Sequence, residues 1–90
     1  MDVKEVIANM GLKDTAEMMV SEDYKERFRA EYYQLKIRIT KLANMLEKWD
    51  KGELSFEPTC PRDLYDEQIK SMKDYAEVLV VRAKMEGVEL

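Results

Sequence analysis

Ninety residues that are 46% hydrophobic and 38% charged, with only three glycines and two prolines, make at most one small helical domain rather than a disordered chain. The formal charge of -4 argues against broad, sequence-independent DNA binding. The absence of histidine removes zinc sites and histidine-based triads, and the single Cys60 has no internal disulfide partner.

No apolar run approaches the roughly 18 residues of a membrane span. Asp2, Glu5, Asp14 and Glu17 make the first twenty residues unlike a signal peptide, so an intracellular location is expected. A chain of this size buries only about 60 to 65% of the surface its unfolded form exposes, which favours association with other copies.

Val3, Val6, Ile7 and Met10 stand at helical spacing ahead of Gly11, so the spacing predicts a short helix over about residues 2 to 10, with Gly11 just past its end. Lys13, Asp14 and Thr15 read as a polar turn, and Ala16, Met18, Met19 and Val20 as a further turn packed on the body. Ser21, followed by Glu22 and Asp23, reads as a helix start.

From Ser21 no Gly or Pro interrupts the chain until Gly52. Phe28, Tyr32, Leu35, Ile39, Leu42, Leu46 and Trp49 alternate spacings of four and three, the seam of a long packed helix. About thirty residues give a rod of roughly 45 Å. Gly52 to Cys60 should be a loop whose Leu54 and Phe56 plug the end of the core.

Pro61 suits the first position of a second rod, capped by Thr59 or Cys60. Its seam is Tyr65, Ile69, Met72, Ala76, Leu79 and Ala83, and it should fray near Gly87. The predicted class is therefore all-α: an amino-terminal helical segment over residues 1 to 20, then a long antiparallel helical hairpin over residues 21 to 90. In that hairpin residue 45 lies near 68, 38 near 75 and 31 near 82.

Charge is unevenly distributed, at -2 over residues 1 to 20, +2 over 21 to 51 and -4 over 52 to 90. Only the middle segment is basic. Beside its seam Tyr24, Arg27, Glu31, Gln34, Arg38, Lys41, Met45 and Lys48 share one face, and the second helix offers Gln68, Ser71, Tyr75, Val78, Arg82 and Met85.

One reading is that Arg27, Arg38, Lys41 and Arg82 hold phosphates while Tyr24 or Tyr75 stacks on a base, since guanidinium forks match phosphate geometry and every base offers a π-face. The other is a solvated helix face with ordinary ion pairs, such as Glu31 with Arg82. A second apolar stripe, Ala30, Tyr33 and Ile37 with Asn44 at its end, and Val78, Val81 and Met85, requires cover from the amino-terminal segment, another protomer or both.

No phosphate-cradling Gly loop, paired-Cys spacing or nucleophile elbow is present in the sequence. Nothing points to a cofactor or metal, and Cys60 without a histidine reads as a capping or packing residue. A small enzyme working through Arg, Lys and Glu is the third reading, behind a ligand binder and an adaptor that docks a partner helix.

The run FRAEYYQLKIRITKLANML, the loop GELSFEPTCP and the run QIKSMKDYAEVLVVRAKMEG together resemble small phage proteins, common in crAss-like phages, that share the hairpin domain of anti-CBASS and anti-Thoeris cyclic-nucleotide sponges. The likeness covers about residues 21 to 88. It implies a homo-oligomer, a hexamer in the best-known cases, that binds cyclic di- or trinucleotides or cyclic ADP-ribose isomers in the host cytoplasm and withholds them without cleavage. It further implies that Arg38 and Lys41 contact phosphate, that Tyr24 is a base platform and that Arg82 serves a second, trinucleotide-type pocket. The first twenty residues do not match the family pattern.

Overall fold

The computed structural model describes residues 11–90, and the helix expected over about residues 2 to 10 lies outside them. The described residues form three α-helices and no strand: α1, Leu12–Met19; α2, Tyr24–Asp50; and α3, Arg62–Glu86.

Gly11 is the N-cap of α1. It is extended at φ -104°, and its N–H donates to the Asp14 carboxylate at 2.8 Å. The stretch expected as a polar turn is therefore the first turn of α1, because an acid at the third helical position satisfies an orphan amide and complements the helix dipole. The Thr15 hydroxyl donates to the Leu12 carbonyl at 2.7 Å, which allows this polar side chain to be fully buried.

The long helix starts later than Ser21. Asp23 is its N-cap and accepts from the Lys25 amide at 2.9 Å. Ser21 instead accepts from the Asp23 amide at 3.1 Å and donates to Glu26 at 2.7 Å, organising the approach to the cap. The resulting 27 residues span about 40 Å.

Phe28, Tyr32, Leu35, Ile39 and Leu46 of the α2 seam are buried, while Leu42 and Trp49 are half-buried. Facing them, Ala76, Leu79 and Ala83 of α3 are buried and Tyr65, Ile69 and Met72 half-buried. The seam from Phe28 to Ile39, with Ile69 to Ala83 of α3, forms the hydrophobic core, which Tyr33 and Val88 join. Contacts between the two helices occur at both extremities. Trp49 meets Tyr65 at 5.9 Å beside the loop, and Arg82 lies 5.0 Å from the Phe28 ring near the other end, where Arg29 Nε also donates to the carbonyl of Glu89, just beyond α3, at 2.6 Å.

The loop differs from expectation. Leu54 is half-buried, but Phe56 is 54% exposed. Tyr65 and the Arg62 guanidinium pack on Trp49, at 5.9 and 5.4 Å, while Phe56 stays outside the core and lines an open pocket of about 400 Å³ with Trp49 and Leu54. Pro61 sits one position before the first helical residue, and no side chain of Thr59 or Cys60 caps α3.

The end of α3 is closed rather than frayed. Gly87 adopts the left-handed conformation at φ 72°, and the Val88 amide reaches back to the Ala83 carbonyl at 2.8 Å. Val88 is consequently buried, with Leu90 packed alongside the core. This is a Schellman closure, in which a hydrophobic residue beyond the glycine seals the last turn.

The second apolar stripe divides between helices. α1 packs on α2, where Ala30, Tyr33 and Ile37 are buried, but Val78, Val81 and Met85 on the outer side of α3 are 55%, 53% and 83% exposed. Among the described residues no helix is long and apolar enough to cross a membrane.

A Cβ at position 87 would meet nothing within 4 Å, so substitution there acts through backbone conformation alone. Gly87→Ala should lower unfolding free energy by about 1 kcal/mol in a urea titration. Leu79→Ala, at a fully buried core position, should cost about 2 to 5 kcal/mol in the same assay.

Candidate functional site

Tyr24 is the first residue of α2, directly after the Asp23 cap, and its ring is partly exposed. One turn on, Phe28 faces it edge-on at 6.3 Å. The Arg82 guanidinium, arriving from α3, lies 5.0 Å from the centre of the Phe28 ring. Its other side is held by Glu86, with Nε to carboxylate at 2.8 Å. Tyr24 and Arg82 are therefore both anchored on the buried Phe28 ring, and the guanidinium is oriented by a carboxylate and an aromatic face together.

Two other candidates are engaged within the chain. Arg27 Nη1 donates to the Ser21 carbonyl at 2.7 Å, bracing the connection between α1 and α2. The Tyr75 hydroxyl donates to Glu31. The expected Glu31 to Arg82 ion pair is replaced by these contacts, because the α3 tyrosine reaches the carboxylate and Arg82 finds Glu86 one turn away on its own helix.

Arg38 and Lys41 are exposed and make no ion pair with any described residue. They lie 14 and 17 positions after Tyr24, roughly 21 and 25 Å along the axis. A single chain thus divides the six candidates. Tyr24, Arg27, Tyr75 and Arg82 gather toward the start of α2, and Arg38 and Lys41 stand apart from them. Phe28, which supports the first group, was legible only as a core residue.

A groove of about 530 Å³ runs along the opposite flank of the α2–α3 seam. Tyr32, Ile39, Ala76 and Val80 line it together with Lys36 and Lys73. Sequence reasoning did not select those lysines because it followed one flank of each helix. Burial, and secondarily the neighbouring Tyr33, pushes the Tyr32 phenol above its ordinary pKa.

At the loop end, Arg62 donates to Asp50 at 2.6 Å and to Asp66 at 2.9 Å. The hydrogen bond from Arg62 holds the Asp50 carboxyl below the usual carboxylate range. The same hydrogen bond, followed by that to Asp66, raises the Arg62 pKa. Burial, and after it the nearby Cys60, raises the Tyr65 phenol. These groups clamp the two helices at the loop.

A family model described as Sequestin matches residues 22–85, most of the chain. The chain belongs to the Sequestin family. No curated protein and no solved structure matches it. The Sequestin match begins just before α2 and ends within the last turn of α3, so it contains all six candidate residues and excludes α1. The family's name describes the sequestering of a ligand, which points to a binding role.

The lowered Asp50 pKa has a definite consequence for stability. A carboxyl depressed in the folded state stabilises the fold above its unfolded pKa of about 4 and loses that contribution as pH falls through the lower folded value. Wild type should therefore melt above Asp50→Asn at pH 7, and the gap should close as the pH falls below about 4. A gap that stays constant down to pH 2 in thermal melts would reject this assignment.

Proposed function

We propose that this Sequestin-family chain sequesters cyclic oligonucleotide signals, cyclic di- or trinucleotides or cyclic ADP-ribose isomers, without cleaving them. The observation that carries this reading is the Sequestin match over residues 22–85. The likeness of the same segment to phage counter-defence sponges supplies the ligand class, the host cytoplasm as its setting and a homohexamer as the assembly.

The chemistry of the exposed side chains supports the ligand class. Tyr24 presents aromatic surface near the Arg82 cation, both backed by the buried Phe28 ring, while Arg38 and Lys41 project charge unpaired with any described residue. Base stacking and phosphate neutralisation need those two kinds of group. Because roughly 25 Å separates Tyr24 from Lys41 within one chain, a compact ligand would contact both only where chains meet. In this reading α2 and α3 form an antiparallel hairpin, and several copies bring the basic middle of one beside the rings of another. A symmetric ligand suits such a symmetric interface. Arg27 and Tyr75 border the site as the braces of Tyr24 and Glu31.

The exposed Val78, Val81 and Met85 favour a second reading, in which α3 docks a partner protein and the cations only solubilise the chain. Calorimetry against a panel of cyclic di- and trinucleotides and cyclic ADP-ribose isomers separates the two. Sequestration predicts tight binding and chemically intact ligand after heat denaturation of the protein. Arg38→Ala combined with Lys41→Ala should abolish binding while leaving the oligomer mass unchanged. Chemically altered ligand would indicate an enzyme, and a stoichiometric protein partner with no nucleotide bound would favour the adaptor.

A further inference from the structure

The connecting loop returns over the last third of α2 in a defined way. The Glu53 amide donates to the Lys48 carbonyl at 2.8 Å, Gly52 turns at φ 70°, and Leu54 is half-buried. The loop and the helix enclose a pocket of about 380 Å³. Lys41, Asn44 and Lys48 line its helical side, and Glu53, Ser55 and Phe56 its loop side.

Several features of this pocket go unexplained by the fold. Lys41 and Lys48 make no ion pair with any described residue, whereas nearby Lys51 pairs with Glu47 at 3.0 Å. Seven positions separate the two lysines, about 10 Å along one helix face, so flexible ammonium groups can converge on a phosphate between them. Phe56 is a large aromatic side chain held 54% exposed at the same pocket. Asn44 and Ser55 add hydrogen-bonding groups that both donate and accept.

We infer that this loop pocket is a binding site for a nucleotide, with the base stacked on Phe56 and the phosphate held by Lys41 and Lys48. Glu53 sets the orientation. Its carboxylate repels phosphate from the loop side, leaving the ring toward Phe56 and the charge toward the helix. The site lies within one chain and at the far end of α2 from Tyr24 and Arg82. It shares Lys41 with the sequestration reading but does not depend on it.

The test is an amide chemical-shift titration of the full chain with AMP, with adenosine and inorganic phosphate as separate probes. AMP should shift the Lys48, Ser55 and Phe56 amides saturably, and adenosine or phosphate alone should bind at least about fivefold more weakly. Phe56→Ala and Lys48→Ala, at exposed positions, should each weaken AMP at least about fivefold while the α3 amide pattern is retained. AMP shifts confined to the Tyr24 and Arg82 end, or undiminished affinity in Phe56→Ala, would overturn the site. Loop binding of AMP without any binding of cyclic nucleotides would leave this site standing and reject sequestration. Tight cyclic-nucleotide binding with no AMP-induced shifts at Lys48, Ser55 and Phe56 would do the reverse.

Discussion

α3 meets α2 through a narrow strip in which only Ala76, Leu79 and Ala83 are fully covered. Two of these are alanines, so the aromatic side chains of α2, Phe28 and Tyr32, supply much of the volume between the helices. Such a contact allows close approach but conceals little of the circumference of α3. The exposure of Val78, Val81 and Met85, the reach of Tyr75 to Glu31 and the placement of Arg82 over Phe28 all accompany that thin interface. Its two ends are secured separately, by Arg62 with Asp50 and Trp49 at the loop and by Val88 folding back beyond Gly87 at the other end.

The same geometry distributes charge along a rod instead of concentrating it in one cavity. Arg82 is held by Glu86 and an aromatic ring, and Arg27 by a backbone carbonyl, so these groups are oriented before any ligand arrives. Arg38, Lys41 and Lys48 are not restrained by ion pairs to described residues. A small polyanion held between chains would draw on both kinds, gaining orientation from the first and adaptable charge from the second. The Sequestin match spans both groups.

Where sequence reading succeeded, it relied on periodicity. The seams of α2 and α3 needed only the alternation of four and three, because a buried helix face repeats at that spacing whatever lies opposite. It failed where neighbouring residues compete for the same place. Ser21 and Asp23 are both good capping residues two positions apart, and which of them caps α2 depends on the path of the chain around it. Phe56 read as a core plug because it is apolar, but Tyr65 and Arg62 are the groups that pack on Trp49, and Phe56 lies outside the core. Among the candidate site residues, type and face were legible, but partnership was not. The Arg82–Glu86 pair stands at the i,i+4 spacing of a helix pair, but the sequence also offered Glu31 across the hairpin, and only the fold gave that carboxylate to Tyr75.

The amino-acid order by itself determined the helical class, the two long seams, the basic middle segment and the residues that carry charge and rings along it, because each follows from composition or from a repeat of 3.6 residues. The tertiary structure alone decided that α1 begins at Leu12, that Glu31 takes Tyr75 rather than Arg82, that the α3 stripe stays exposed while its α2 counterpart is buried, and that Phe56 turns outward beside Lys41 and Lys48. Apart from the start of α1, set by the local Gly11–Asp14 contact, these outcomes depend on which side chain occupies a shared volume or partner, and that competition is between residues distant in the chain.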